Sequence, residues 1–179
     1  MLAFAQGDAG AFDRLYARHK GTVFRFIARS LPTRADAEEI FQEVWMKAIE
    51  ARARYEPRAK FTTWIYAIAH HRLVDVWRKK GLSLVPLDGD EDGEDGHAAI
   101  DPPGDAANEP FAQVSTREAM ARFAAALDKL PPAQREAFLM KEEAEMSIAD
   151  IAAATGSNEE AVKSRVRYAT AKLREALDG

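Results

Sequence analysis

Cationic and hydroxyl-bearing side chains cluster on one predicted helix near the C-terminus of the chain. They are Lys163, Ser164, Arg165, Arg167 and Tyr168. Arginine and lysine bind base edges in the major groove as well as phosphate oxygens, and hydroxyl groups donate to phosphates. When Val162, Val166 and Ala169 point inward, helical spacing turns four of these side chains outward and leaves Arg165 on the flank. The pattern therefore predicts a surface that binds duplex DNA.

Two short helices joined at Gly156 would position this surface. Each has an apolar stripe, Ile148, Ile151 and Ala152 before the glycine and Val162, Val166, Ala169 and Leu173 after it. Ser147 with Asp150, and Ser157 with Glu160, have the spacing of capping boxes, and glycine suits a left-handed turn. We therefore predict a helix-turn-helix, which is typical of duplex readers. The alternative is a plain amphipathic hairpin whose basic residues form only a solvated face.

A second cationic region lies between Arg52 and Lys80, with eight basic residues against two acidic ones. It contains a loop broken at Pro57, followed by a predicted helix from about Thr62 to Lys80. The inner stripe of this helix is predicted to be Ile65, Ile68, Ala69, Leu73 and Val76. The side chains expected to face away are Tyr66, His70, Arg72, Asp75, Arg78 and Lys79. Rings stack on bases while cations meet the backbone, so we expect single-stranded nucleic acid to bind here.

A third candidate surface lies on a helix that opens with a capping box at Thr33 and Asp36. Its predicted buried stripe is Ala37, Ile40, Phe41, Val44, Trp45 and Ala48, and its outer face carries Asp36, Glu39, Gln42 and Glu43. Acids in the first turn complement the helix dipole, which explains Asp36 but not the residues further along. We expect this face to bind a basic partner. Before it, apolar spacing predicts either two helices or one bent helix around Gly21, ended by Pro32.

Composition restricts the remaining possibilities. The 179 residues include no cysteine, which excludes disulfides and thiolate metal sites. The net charge of -4 conceals an acidic stretch, because residues 82–111 contain nine acids and no lysine or arginine. This stretch is rich in Gly, Pro and Asp, and we expect a flexible linker there. No run approaches the roughly 20 apolar residues of a membrane span, so a cytoplasmic protein is expected. The predicted fold is all-α, with two small helical domains joined by the acidic linker.

An enzyme is the first alternative, and its best support is His70, His71 and Asp75. His71 and Asp75 stand one helical turn apart, as metal ligands or an acid–base pair would. A hydrogen bond or ion pair at that spacing is the simpler interpretation. No phosphate-binding glycine loop, nucleophile elbow or paired-carboxylate cleft is found in the sequence. We expect no catalytic residue, no metal and no cofactor.

Four motifs that follow one another in order indicate a family. They are DAEEIFQEVW at 36–45, FTTWIYAIAHHRLVDVWRKK at 61–80, LPPAQREAF and AVKSRVRYA. Together they resemble a bacterial extracytoplasmic-function sigma factor over almost everything outside the acidic stretch. The resemblance implies sigma region two in residues 1–81, a linker in 82–111 and sigma region four in 112–179. It also implies three partners, which are core RNA polymerase, promoter DNA and an anti-sigma factor.

The resemblance assigns roles to residues at the matching positions. Core polymerase would be bound by Asp36, Glu39, Gln42 and Glu43. The minus-ten element would be opened and bound by Tyr55, Arg58, Lys60, Tyr66, His71, Arg72, Arg78 and Lys79. The minus-thirty-five element would be read by Lys163, Ser164, Arg165, Arg167 and Tyr168. Glu160 and Ala161 depart from the Gly and Thr that the family often has before Val-Lys-Ser-Arg, so a threonine–phosphate bond is lost there.

Two binding-class alternatives remain open from the sequence. A sigma-like mimic would sequester an anti-sigma factor and would not initiate transcription, and it would not need the DNA-facing cations. A stand-alone helix-turn-helix regulator would bind palindromic half-sites as a dimer. Such a regulator would have no need of the polar face between Asp36 and Trp45.

Overall fold

The described part of the chain, residues 1–81 and 110–178 of a computed structural model, is built of α-helices and contains no strand. The helices are α1 (Leu2–Ala5), α2 (Ala9–Ser30), α3 (Arg34–Glu50), α4 (Phe61–Lys79), α5 (Pro110–Lys129), α6 (Pro132–Glu142), α7 (Ile148–Thr155) and α8 (Glu159–Asp178). A short 3₁₀ turn, Ala51–Arg54, follows α3. The all-α prediction is confirmed.

Local signals explain where the helices of the first group, residues 1–81, begin and end. The Asp8 carboxylate accepts a bond from the Ala11 backbone N–H at 3.0 Å and caps α2. This helix runs through Gly21 without a break and ends at Ser30, two residues before Pro32. The Thr33 hydroxyl accepts from the Asp36 N–H at 3.1 Å, so the predicted cap of α3 is present. Of the two possibilities for the first segment, the single helix is found.

The core of the first group lies among α2, α3 and α4. Phe26, Ile27, Val44, Ile65 and Leu73 are fully buried there. The predicted stripe of α3 is confirmed, except that Phe41 is only partly buried. The packing of large apolar side chains from three helices gives α4 a fixed position against α3, and burial of each such side chain contributes roughly 1.5–3 kcal/mol.

The second group, residues 110–178, packs α6, α7 and α8 around Leu139, Met140 and Ile151. Gly156 adopts φ 62° between α7 and α8, as the sequence predicts for a helix-turn-helix. Ser147 caps α7 by accepting from the Asp150 N–H at 3.1 Å. The predicted cap of α8 at Ser157 is wrong, because the Asn158 carboxamide accepts from the Ala161 N–H at 2.7 Å and the helix begins one residue later.

The two groups pack against each other, which the sequence did not predict. α7 lies along α4, and α6 lies against α2. Residues 82–109, most of the predicted linker, lie outside the described residues, and α5 already begins at Pro110. The last two residues assigned to the linker, 110 and 111, are therefore helical.

Candidate nucleic-acid interface

The outer face of α8 presents the cations that the sequence predicted. Lys163 and Arg167 are exposed, while Ser164 and Tyr168 are half-buried beside them. Val162 is fully buried on the opposite side and fixes the rotation of the helix. The Arg167 guanidinium lies over the Tyr168 ring, 5.2 Å from its centroid. The face therefore offers two exposed cations and a ring at one surface, which suits a polyanion.

Two members of this set have partners within the protein. The Arg165 guanidinium donates to the Ser157 hydroxyl at 2.9 Å and is half-buried, so it braces the turn between α7 and α8. The Lys163 ammonium donates to Glu160 at 2.7 Å, and this hydrogen bond raises the pKa of Lys163. The pair keeps the lysine charged, but DNA must compete with Glu160 for it. Glu160 is the position where the chain departs from the family pattern.

The loop before α4 and the start of that helix bring together three predicted residues. Tyr55 is half-buried, with its ring edge-on to Trp64 at 5.0 Å, and burial raises the pKa of its hydroxyl. Arg58 is exposed and paired with its neighbour Glu56. Lys60 is exposed but donates to Asp150 of α7 at 2.9 Å. Aromatic surface and cations therefore meet at this end of α4, as single-stranded DNA requires.

Tyr66 corrects the predicted outer face of α4. Its side chain is only 2% exposed and its ring lies 4.9 Å from that of Phe26, so it belongs to the core. Burial raises its pKa to about 12. Ile68 and Val76, which were expected inside, are only partly buried. Tyr66 therefore has no surface available for DNA.

Further along α4, His71, Arg78 and Lys79 are exposed as predicted. Arg72 instead bridges two carboxylates, with its Nε 2.7 Å from Glu43 of α3 and its Nη1 3.1 Å from Asp75. Among the described residues, His71 and Asp75 form neither the hydrogen bond or ion pair that the sequence favoured nor the alternative acid–base pair, since Asp75 is paired with Arg72. No group of three or more metal-binding side chains occurs within residues 1–81 and 110–178.

The polar face of α3 contains both exposed and paired residues. Glu39 and Gln42 are exposed, Glu43 is held by Arg72, and Asp36 accepts from Lys80 at 2.7 Å. The hydrogen bond from Lys80 lowers the pKa of Asp36. Sequence reasoning missed Met46, which is 55% exposed one turn beyond Gln42. The sequence feature that could have revealed Met46 is an apolar residue at helical spacing on an otherwise polar face.

A set of polar contacts joins the two groups, and we call it the seam. It consists of Arg29 with Glu143, Lys60 and Thr63 with Asp150, and His70 with Glu136. The last pair is separated by 2.8 Å, and Glu136 is buried. His70, which was expected to face away from the protein, is half-buried at this seam. No spacing signal in the sequence indicated these contacts.

The described helices include none that is long and apolar enough to cross a membrane.

Two family descriptions match the chain. Residues 15–82 match Sigma-70 region 2, and residues 120–173 match Sigma-70, region 4. The first range includes α3 and α4 with their polar faces. The second includes the turn at Gly156 and the cationic face of α8.

Similar proteins extend over nearly the whole chain. The RNA polymerase sigma factor NccH of Alcaligenes xylosoxydans xylosoxydans is 32% identical, over 94% of this chain and 88% of that protein. The ECF RNA polymerase sigma factor SigM of Mycobacterium tuberculosis is 30% identical, over 99% of this chain and 82% of that protein.

A solved structure has a similar fold. It is the sigma factor RpoE in complex with the anti-sigma factor NepR from Bartonella quintana, with a TM-score of 0.69 and 24% identity. The similarity covers 94% of this chain and 97% of that one, so it includes both helical groups.

Proposed function

Since the chain belongs to the extracytoplasmic-function sigma factors of bacterial RNA polymerase, we propose that its two helical groups divide promoter recognition between them. The protein is a transcription initiation factor that directs the polymerase to promoters. In the proposal, residues 1–81 bind core polymerase and the minus-ten element, and residues 112–179 read the minus-thirty-five element. Residues 82–111 join them.

One observation supports this division best, namely the cationic outer face of α8 behind a left-handed turn. Lys163 and Arg167 are exposed there, while Val162 and Ala169 are buried on the other side. A recognition helix in this setting places its cations in the major groove. Ser164 and Tyr168 lie beside them for phosphate contacts, and Arg165 supports the turn.

For the minus-ten element we propose a surface at the start of α4 and along its exposed side. Its members are Tyr55, Arg58, Lys60, His71, Arg72, Arg78 and Lys79. Arg72 must exchange its carboxylate partners for DNA, whereas His71, Arg78 and Lys79 are exposed already. Tyr66 is left out of the proposal because it is buried.

For core polymerase we propose the polar face of α3. Glu39 and Gln42 are exposed and meet the partner directly, and Met46 adds apolar contact beside them. Asp36 and Glu43 are held in ion pairs with Lys80 and Arg72, so they position the face as well as contribute charge. A mixed apolar and polar patch of this kind is typical of protein interfaces.

An anti-sigma factor is a further proposed partner. The solved relative RpoE was crystallised with its anti-sigma factor NepR, and it shares the fold of this chain over both groups. Such an inhibitor would act where the polymerase acts, which we propose is the cytoplasm. We propose no catalytic role, because bond formation belongs to the polymerase.

The proposal is tested by titrating core RNA polymerase into the labelled chain. The double variant Glu39→Ala, Gln42→Ala removes two exposed contacts without breaking an ion pair of α3, and we expect it to weaken binding at least tenfold. Glu50→Ala, which is exposed at the end of the same helix, is the control and should bind like the wild type. Equal binding by both variants would reject the α3 surface.

A further inference from the structure

The Asp150 carboxylate of α7 lies against two hydrogen-bond donors at the start of α4. It accepts from the Lys60 ammonium at 2.9 Å through one oxygen and from the Thr63 hydroxyl at 3.0 Å through the other. Lys60 is separated from Asp150 by 90 residues in the chain, and Thr63 by 87. Thr63 is only 4% exposed in this arrangement, so α7 covers it. The contact is therefore specific in geometry, with Thr63 buried beneath α7 and Lys60 still reached by solvent.

An ammonium and a hydroxyl that donate to two different oxygens of one anion form a donor set suited to phosphate. Lysine and threonine are common donors to the phosphate backbone of nucleic acids. Both lie at the end of α4 where Tyr55, Arg58 and Trp64 gather. A strand that stacks a base on these rings would bring its phosphates within reach of Lys60 and Thr63.

Asp150 remains an anion at any physiological pH. Hydrogen bonds from Ser147 and then Lys60 lower its pKa to about 2. The hydroxyl of Ser147, the N-cap residue of α7, donates to it at 2.7 Å. The carboxylate is therefore oriented by its own helix and presented to α4 as a fixed negative charge, as a phosphate oxygen would be.

We call the chain closed when α7 packs against α4, as it does in this structure. We propose that Lys60 and Thr63 form a binding site for a backbone phosphate of the melted promoter strand, and that Asp150 occupies this site in the closed chain. Strand binding then requires α7 to leave α4. The proposal rests on the proposed function, since it assigns the strand-binding surface to α4. It adds Thr63 to the DNA contacts and gives the seam a role, which is to keep part of the strand-binding surface occupied until the two groups separate.

Two ion pairs of the seam are exposed enough to be displaced. Lys60 with Asp150 and Arg29 with Glu143 each include a partner that solvent reaches, and such a pair shifts an equilibrium by at most about fivefold. A competing polyanion displaces these exposed pairs, and a protein partner that holds the groups apart must also break the buried contact of His70 with Glu136. In the closed chain Lys163 and Arg167 on α8 remain exposed, so the duplex-reading face does not need this opening.

The test uses the full-length chain and a short fluorescent oligothymidylate, whose binding is followed by anisotropy at one fixed low ionic strength. Asp150→Asn removes the charge and keeps the shape and the backbone cap of α7. Glu142→Gln makes the same change of charge at an exposed residue of the same group, and it is the control. We expect Asp150→Asn to bind up to about fivefold more tightly than the control, the largest ratio that one exposed ion pair can give.

Adding Thr63→Val to Asp150→Asn should abolish this gain, because the hydroxyl that would bind the phosphate is lost. A gain that survives Thr63→Val, or no gain over Glu142→Gln, would overturn the proposal. Circular dichroism on each variant checks that the helices persist. Promoter opening by wild-type chain with core polymerase is measured in parallel. If the wild type opens promoters and Asp150→Asn gives no gain, this inference alone is wrong; if the wild type opens none, the proposed function is wrong.

Discussion

His70 and His71 are neighbours on α4 with opposite surroundings, and substituting each by alanine gives a paired prediction. The His70 Nδ1 lies 2.8 Å from a carboxylate oxygen of Glu136, and their side chains are 16% and 4% exposed. His71 is exposed, and no hydrogen bond or ion pair of its side chain occurs among the described residues. Only His70→Ala should therefore weaken the seam.

The expected size of the effect of His70→Ala follows from the hydrogen-bond partner that Glu136 loses. Leaving a buried hydrogen-bonding group without its partner costs about 1–3 kcal/mol. The larger cost of about 3–5 kcal/mol for a permanently buried lone charge does not apply, because α6 can move away from α4 and let water reach the carboxylate. We therefore expect His70→Ala to shift the ratio of closed to open chain by about 5- to 150-fold. His71→Ala should stay within about 0.5 kcal/mol of the wild type.

Energy transfer within the chain measures this ratio directly. The protein has no cysteine, so dyes attach selectively to cysteines introduced at the exposed residues Glu50 and Arg174. His70→Ala should lower the fraction of molecules with the transfer efficiency of the closed chain, and His71→Ala should not. If the two variants give the same distribution as the wild type, the bond between His70 and Glu136 does not hold the groups together and the reasoning is refuted.

Three further predictions concern single residues. Gly156 has a positive φ, so Gly156→Ala should lower the free energy of unfolding in urea by about 1 kcal/mol. Gly21 lies inside α2, so Gly21→Ala should raise this free energy by about 0.5–1 kcal/mol. Equal effects would contradict the backbone conformations of the two glycines. Arg167→Ala should weaken protection of the minus-thirty-five duplex in footprinting about tenfold without changing core affinity, and a loss of core affinity would count against its role. Hydrogen bonds lower the pKa of Asp150 to about 2, below its ordinary 3.8. The ionised carboxylate therefore stabilises the folded chain above about pH 4, and this contribution is lost as the pH falls from about 4 to 2. Asp150→Asn should flatten that part of the curve of stability against pH, measured by circular dichroism, and an unchanged curve would refute this prediction.

Helices and their caps were predictable because their causes are local. The stripe of α3, the caps at Thr33 and Ser147 and the turn at Gly156 depend on residues within one or two turns of each other. The cap of α8 was misassigned by one residue because Ser157 and Asn158 are both good caps. The structure gives the cap to Asn158 and uses Ser157 to hold Arg165.

Tyr66 was misassigned for a different reason. A periodicity argument assumes one buried stripe on each helix, but α4 packs against α2 and α3 on one side and α7 on another. Its buried arc is therefore wider than one stripe, and it includes Thr63 and Tyr66. The polarity of a tyrosine hydroxyl also made an outward position look reasonable, although the ring is mainly apolar.

The seam was not predictable from patterns in the sequence. Its members are polar residues that look like ordinary surface positions within their own helices. Their partners lie 66 to 114 residues away, as for His70 with Glu136 and Arg29 with Glu143. Only the three-dimensional packing of the two groups reveals that these polar side chains pair with one another.

The most direct test of the central claim is transcription of fragmented bacterial genomic DNA by core RNA polymerase with and without this chain, followed by mapping of transcript 5′ ends. We predict discrete start sites that require the chain and share two upstream elements at a fixed spacing, with the minus-thirty-five element losing definition when Arg167→Ala is used. Start sites that do not depend on the chain, in the presence of a folded protein that binds core polymerase, would contradict the account.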